Sequence, residues 1–337
     1  MGHSDEITLR SYAKINLSLE VIGRRPDGYH DIRSLMQGID LYDDIKITKC
    51  PQDGTKYNLP HCEIGEVVVY LCTDAKTIPL DMSNLALKGI KAVLDEFGVR
   101  GIRFTDDLLV SIDKMLPVAA GIAGGSGNAA VCMLGLNALA GGPLTLRDLM
   151  VTGAKVGADV PFSLMMNARG NYSILADSLD GIEESSTAAW TGGIGDVVSP
   201  VQPLIRHIVL ANPGIQVSTK AAYEAIDAIK GASDGSEGAG TGELFINDFE
   251  GYTLKTYPEA AMLRQVMQEE LDADVVLMSG SGPTMVAYYE DPDEATAGFA
   301  RMQRITEQHN TGNNEKGNNW RAWFTSTGTV QPGQTLQ

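Results

Sequence analysis

The chain has 337 residues, 43% hydrophobic and 20% charged, with 43 acidic against 26 basic side chains and a net charge of −17. This is the composition of an ordinary globular protein, long enough for two domains or one large one. The acidic balance argues against a general affinity for nucleic acid or an anionic membrane, because both need clustered Lys and Arg.

The elements read in chain order as follows. Residues 7–22, "ITLRSYAKINLSLEVI", are rich in β-formers and alternate in part, so one or two strands are expected. A Pro-Asp-Gly turn in "GRRPDGYH" breaks the pattern before more strand in "DIRSLMQGIDLYDDIKITKC". Residues 51–64 read as surface loop and "EVVVYLC" as a short strand. "MSNLALKGIKAVLDEFGV" has helical spacing and opens on Ser83-Asn84, good N-cap chemistry. "GIRFTDDLLVSIDKMLP" suggests a strand pair leading into a glycine-rich loop, then a helix over about 127–140. "LTLRDLMVTGAKVGADVPFSLM" is a helix running into a second glycine turn. From 166 to 185 the chain turns polar and irregular, as an insertion would. "LIRHIVLANPG" is a strand and "STKAAYEAIDAIKG" a helix. Residues 231–243 form a Gly/Ser/acidic loop, and a helix follows over 257–271. "DVVLMSGSGPTMVAYYE" is a strand split by a third glycine turn; a polar linker (307–318) and a last strand, "WRAWFTST", end the chain. Without strict βαβ alternation the fold class is α+β rather than a doubly wound sheet.

The longest apolar runs are strand-length, which predicts no membrane span. The N-terminus lacks the apolar core of a signal peptide. Cys50, Cys62, Cys72 and Cys132 show no CxxC spacing and read as free thiols of a reducing cytoplasm. The five histidines are scattered without zinc spacing, and neither GxSxG nor a Walker A sequence occurs.

The turn "GIAGGSGNAA" (121–130) is the most informative stretch. It could be a flexible turn, a dinucleotide fingerprint or a phosphate cradle. Gly125-Ser126-Gly127 with Ala130, and Asp148 about 20 residues on, fit the fingerprint. That motif needs its first glycine at a strand end, however, and here Pro117 and several small residues intervene. The cradle fits better. Glycines at 121, 124, 125 and 127 let several N–H groups converge on an anion, and the loop runs directly into a helix whose N-terminal amides favour phosphate.

Proline, a Gly-Gly-Ser loop and a helical Ala-Ala together resemble the second motif of the GHMP kinases. "YAKINL" resembles the first motif and "MSGSGPTMVAYY" the third, in matching order over essentially the whole chain. "AKINLSLEVIGRRPDGYHDIRSLMQGIDLYD", "GADVPF", "NPGIQVSTKAAY" and "NDFE" resemble the branch that phosphorylates the 2-hydroxyl of a cytidyl-linked methylerythritol in non-mevalonate isoprenoid synthesis. The resemblance implies a two-domain α+β kinase with its active site in the cleft between domains 1–198 and 199–337. It further implies ATP and Mg²⁺ carried with it, small-molecule partners, a cytoplasmic location and a monomer or weak homodimer.

Two residues stand out as catalytic. Asp159 in "GADVPF" is a carboxylate carried into apolar surroundings, and Lys14 in "AKINL" is its matching cation on a buried-looking strand. The resemblance implies that Asp159 accepts or orients the acceptor proton while Lys14 stabilises the transferring phosphoryl group. By the same resemblance, Asn84 and Lys114 lie near the adenosine, and Pro117, Ala120, Gly121, Gly124, Gly125, Ser126, Gly127 and Asn128 hold ATP. Gly280, Ser281 and Gly282 form the third-motif turn. Asn16, His30, Tyr29 and Tyr223 bind the acceptor, with the cytosine ring between the two tyrosines. Two positions depart from the family: Ala123 stands where glycine is usual, and Gly127 where serine is common. A mevalonate- or homoserine-type acceptor, or a ligand sensor on the same fold, are the alternatives.

Overall fold

The computed structural model describes residues 4–50, 57–118, 120–230, 240–312 and 319–327. Strand β1 (Glu6–Arg24) turns through Pro26-Asp27-Gly28 into β2 (His30–Lys49), and the two pair antiparallel from Glu6↔Thr48 to Arg24↔His30. The register shifts at Tyr12/Ala13 and at Asn16/Ser18. These irregularities bracket the Ala13–Asn16 stretch and re-aim its side chains. Next come β3 (His61–Ile64), β4 (Val67–Thr73), α1 (Leu85–Val99), β5 (Leu108–Asp113), α2 (Gly124–Leu139) and α3 (Leu146–Ala154). They are followed by α4 (Val160–Gly170), α5 (Tyr172–Leu175), β6 (Ala188–Gly192) and β7 (Val197–Pro200). The remainder comprises β8 (His207–Asn212), α6 (Thr219–Lys230), β9 (Ile246–Asn247), α7 (Glu250–Thr256), α8 (Pro258–Glu270), β10 (Val275–Met278), β11 (Met285–Tyr289), α9 (Pro292–Gly312) and β12 (Arg321–Ser326).

The strands form two sheets. One has the order β3-β4-β5-β2-β1-β9, with β6 paired to β2 and β7 to β6; the other has the order β10-β11-β8-β12. The expected boundary at 198/199 falls within β7, and β9 returns from the later half of the chain to pair parallel with β1. Helices α1 to α4 share a core with the first sheet, in which Ala129 to Leu134 of α2 are all buried. That helix lies among neighbours on every side, as its nearly unbroken apolar sequence requires. Helices α6 to α9 pack with the second sheet around Val209, Leu263, Met267 and Tyr289. A third cluster joins the sheets: Ala13, Ile15 and Leu17 of β1 meet Ile208, Leu210, Val286 and Tyr288. Because side chains alternate along a strand, Lys14 and Asn16 point the other way.

Some expectations are corrected. Residues 61–64 are strand β3, inside the expected loop, and 101–117 holds one strand rather than a pair. Residues 307–312, read as linker, finish the long helix α9; 313–318 lie outside the described residues. The acidic loop falls outside them over 231–239. At its described end, the Thr241 and Gly242 amides donate to the Glu20 carboxylate at 2.6 and 3.1 Å. The helix expected at 127–140 begins three residues earlier, at Gly124.

The segment 166–185 is no irregular excursion. It continues α4 and α5, and Met166, Asn167, Asn171, Leu175, Leu179 and Ile182 are buried. Asn167 and Asn171, one helical turn apart, face the edge of β1 that β2 does not cover. Asn167 Oδ1 accepts from Tyr12 N (2.8 Å) and Asn171 Oδ1 from Arg10 N (2.9 Å). Truncating Asn167 to alanine strands a buried backbone N–H, so Asn167→Ala is expected to lower stability by about 1–3 kcal/mol. A urea-denaturation midpoint unchanged from wild type would refute this.

Candidate active site

The glycine loop owes its shape to two left-handed residues, Gly121 (φ 76°) and Ala123. Ala123 has φ 55° and ψ 30°, which swings the chain directly into α2 at Gly124. No side chain caps this helix. The amides of its first turn, on Gly124, Gly125 and Ser126, therefore lack intrahelical partners, and the positive end of the helix dipole lies beside them. These three residues, with Pro117, Ala120 and Gly121, line a cleft of about 600 Å³. Gly280, Ser281 and Gly282 line it from the other side. The two turns meet backbone to backbone: a Cβ on Gly121 would lie 2.3 Å from Ser279 O. Ser279 Oγ donates to Gly121 O at 3.0 Å, and Lys14 N donates to Ile122 O at 3.1 Å.

Gly127 does not belong to the cradle. Its missing side chain faces β1, where a Cβ would come within 2.8 Å of Ser11 Oγ and 3.1 Å of Tyr12 O. The glycine at this position serves close helix–strand packing.

Across the cleft, the expected pair is assembled. Lys14 Nζ lies 3.5 Å from Asp159 Oδ2, with side-chain exposures of 4% and 33%. Asp159 stands at the start of α4, yet its carboxylate makes no capping bond there and remains turned to the cleft. The Lys14 ammonium also donates to Asn16 Oδ1 at 2.8 Å. Asn16 Nδ2 donates to Ser34 Oγ at 2.8 Å. Asn16 thus bridges Lys14 and Ser34, and it also lines the cleft.

Lys114 lines the cleft but is not a bare cation. Its Nζ donates to Asp43 Oδ2 at 2.6 Å, and the two side chains are 6% and 0% exposed. Asp43 Oδ1 also accepts from Met115 N and Leu116 N, each at 2.8 Å. Asn128, oriented with its amide nitrogen toward Asp43, lies 3.0 Å from both Asp43 Oδ2 and Gly124 O. Sequence reasoning missed Asp43, although it falls in phase with the buried Ile45 and Ile47 of β2. Asn84 is the N-cap of α1: its Oδ1 accepts from Ala86 N (2.9 Å) and its Nδ2 donates to Pro79 O (2.8 Å). It shapes the wall of the cleft that Ile78, Pro79 and Leu85 make apolar.

The two tyrosines expected around the cytosine stand differently: Tyr223 lines the cleft, whereas Tyr29 is 62% exposed and does not. His30 stacks directly on Tyr223, with centroids 4.5 Å apart and planes at 20°, so no ring fits between these two. His30 Nε2 lies 2.7 Å from Asp227 Oδ1, while Tyr223 lines the cleft and meets Phe249 edge-on. Burial, with the charge of Asp159 added, pushes the Tyr223 phenol up to about 12, so it remains a neutral donor near pH 7. Thr219 Oγ1 and Ser281 Oγ, 2.8 Å apart, tie α6 to the third turn.

Comparison with known proteins places this geometry. The family model for the GHMP kinases N terminal domain matches residues 84–167, and that for the GHMP kinases C terminal domain matches 220–306. A 4-diphosphocytidyl-2-C-methyl-D-erythritol kinase of Geobacillus kaustophilus is 34% identical over 310 residues, 89% of this chain and 91% of that protein. One from Lachnoclostridium phytofermentans is 34% identical over 309 residues, 88% and 92% of the two chains. A crystal structure of 4-(cytidine 5'-diphospho)-2C-methyl-D-erythritol kinase superposes with a TM-score of 0.64 at 24% identity, over 96% of this chain and 99% of the other. A homoserine kinase from Cytophaga hutchinsonii gives 0.54 at 15% identity over 97% and 96%, a likeness of fold.

The buried Lys114–Asp43 pair yields a stability prediction. Removing one partner leaves a buried charge uncompensated, so Asp43→Ala is expected to destabilise by about 3–5 kcal/mol. The double variant Asp43→Leu with Lys114→Met recovers the part of that loss due to the uncompensated ammonium, while the Met115 and Leu116 amides still lack their acceptor. Urea titration of the three proteins checks this, and a double variant no more stable than Asp43→Ala would contradict it.

Proposed function

The chain belongs to the GHMP kinase family, and we propose that it transfers the γ-phosphoryl group of ATP to the 2-hydroxyl of 4-diphosphocytidyl-2-C-methyl-D-erythritol, a step of the non-mevalonate route to isoprenoid precursors. Two findings support this reading. Relatives bearing that name align at 34% identity over about nine-tenths of the chain. The Lys14–Asp159 pair also stands in the same cleft as the uncapped start of α2.

The division of labour follows from the chemistry of each group. The open amides of Gly124, Gly125 and Ser126 and the dipole of α2 hold the ATP phosphates without a P-loop lysine. The apolar wall of Ile78, Pro79 and Leu85 receives the adenine. Asp159 accepts or orients the proton of the attacking hydroxyl, and the Lys14 ammonium stabilises charge on the transferring group. Most of the catalysis is positioning in a preformed electrostatic site.

Magnesium fits this donor set. It takes few protein oxygens when phosphates supply the rest, and Ser126 and Asp159 present a hydroxyl and a carboxylate to the cleft. When bound, the ion supplies neutralisation of charge on the β- and γ-phosphate oxygens. Among the described residues no cluster of three or more His, Cys, Asp or Glu forms a separate metal cage. We assign the cytosine to the aromatic surface at the cleft's edge, where His30 and Tyr223 form one stacked face and Tyr29 stands exposed.

ADP release with ATP, Mg²⁺ and the cytidyl acceptor tests the proposal, with mevalonate and homoserine run alongside. Turnover is expected with the cytidyl compound alone. Asp159→Asn is expected to lower kcat by about 10²–10⁴ with nucleotide affinity retained. Tyr29→Ala is expected to weaken acceptor binding by about 1–3 kcal/mol, the usual worth of one stacked base. Turnover of mevalonate or homoserine in preference to the cytidyl compound would overturn the acceptor, and ATP binding without turnover of any acceptor would point to a sensor.

A further inference from the structure

A carboxamide has two ends of opposite character, and Asn16 must turn its oxygen, not its nitrogen, to the Lys14 ammonium. Lys14, which offers only donors, favours that orientation but does not hold the amide in place from its other end. The amide is 1% exposed, so water does not decide the matter either. The deciding group lies on the neighbouring strand. Ser34 of β2 is fully buried, and its hydroxyl proton goes to the Ser18 carbonyl at 2.5 Å. A hydroxyl has one proton to give, so toward Asn16 the Ser34 oxygen is an acceptor only. Asn16 Nδ2 donates to it at 2.8 Å, and Asn16 Oδ1 is thereby turned to Lys14 Nζ, also at 2.8 Å.

The reversed amide fails twice. Its nitrogen would face an ammonium that offers only donors, and its oxygen would face a hydroxyl whose proton is already engaged. Ser34 is itself held fast: Leu35 N donates to Ser18 Oγ at 3.2 Å, and Thr191 Oγ1 donates to Ser34 O at 3.2 Å. A chain of buried polar groups thus runs from the Ser18 backbone to the ammonium beside Asp159.

We propose that Ser34 is a positioning residue. Acting through Asn16, it fixes the Lys14 ammonium with one N–H on Asn16, one directed at Asp159 and the third left for the transferring phosphoryl group. Ser34 does not line the cleft and touches neither reactant. The kinetic part of this inference rests on the kinase reading above; the structural part does not.

The test compares Ser34→Ala, which removes the hydroxyl, with Ser34→Thr, which keeps it. Kinetics are measured with ATP and the cytidyl acceptor, and crystal structures are determined for both variants. Ser34→Ala is expected to lower kcat about 10- to 100-fold, the usual effect of displacing a catalytic group by about an ångström, while the KM for ATP stays unchanged. Ser34→Thr is expected to keep most of the wild-type kcat. In the crystals, Lys14 Nζ leaves Asn16 Oδ1 in Ser34→Ala and stays on it in Ser34→Thr. A Ser34→Ala enzyme with wild-type kcat overturns the proposal, as does equal impairment of both variants or an undisturbed Lys14–Asn16 bond in Ser34→Ala. A wild-type chain that turns over no acceptor sinks the kinase reading instead, and the position of Lys14 in the two crystals then decides the relay.

Discussion

Strand β1 has β2 along one edge, and its other edge must find partners elsewhere. A buried N–H left without one costs about 1–3 kcal/mol, and here a row of them, on every second residue, is claimed by a succession of different elements. Arg10 N goes to Asn171 and Tyr12 N to Asn167, both on the α4–α5 segment. Lys14 N goes to Ile122 O of the glycine loop, and Asn16 N to Ser279 Oγ of the third turn at 3.4 Å. Farther on, Ser18 and Leu19 pair with β9, and Val21 N goes to Asp248. Satisfying one strand edge therefore gathers three glycine-bearing segments around Lys14, drawn from positions as far apart in sequence as Gly121 and Gly282. The cleft is a consequence of that bookkeeping of hydrogen bonds.

The same cleft holds two buried lysines with different fates. Lys114 meets a carboxylate that is fully buried and already accepts two backbone N–H groups, so the pair is closed and its charge cancelled in place. Lys14 meets a carboxylate that is one-third exposed and 3.5 Å away, and that makes no side-chain capping bond at the head of α4. An open, loosely coupled pair can exchange a proton or reorganise around a third group; a closed one can only anchor. In the proposed reading, the arrangement also reconciles a net charge of −17 with binding a polyanion. The attraction is local, arising from helix-start amides and one buried ammonium, and it does not depend on the overall field.

How much of this the sequence disclosed depended on whether the signal was periodic. The β1–β2 hairpin, the three glycine turns and the Lys14–Asp159 pairing were legible, because alternation, turn chemistry and a misplaced charge each point one way. Asn167 and Asn171 were not, because their polarity reads as surface when in fact they serve a strand edge one helical turn apart. Asp43 hid in a run of acids, although its phase with Ile45 and Ile47 marked it as inward-facing. Helix α9 went unassigned beneath its polar residues, yet Ala295, Phe299 and Met302 recur at the i, i+4, i+7 spacing of a buried stripe. The His30–Tyr223 stack could not be foreseen, since it depends on Asp227 reaching across from α6.

Ala123 shows what such a scaffold can impose on a single residue. Its left-handed backbone is free for glycine but costs an alanine about 1–2 kcal/mol. Two bonds hold the flanking backbone and keep the strain in place: Lys14 N on the Ile122 carbonyl before it, and Gly127 N on its own carbonyl at 2.8 Å after it. The first of these belongs to the strand that carries Lys14. Contacts within the protein, one of them from β1, thus support the bend that opens the amides of α2. Donors oriented by the fold in this way would leave little reorganisation for the proposed reaction. Ala123 lines the cleft, so phosphates held as proposed would settle beside a methyl-bearing residue rather than a glycine.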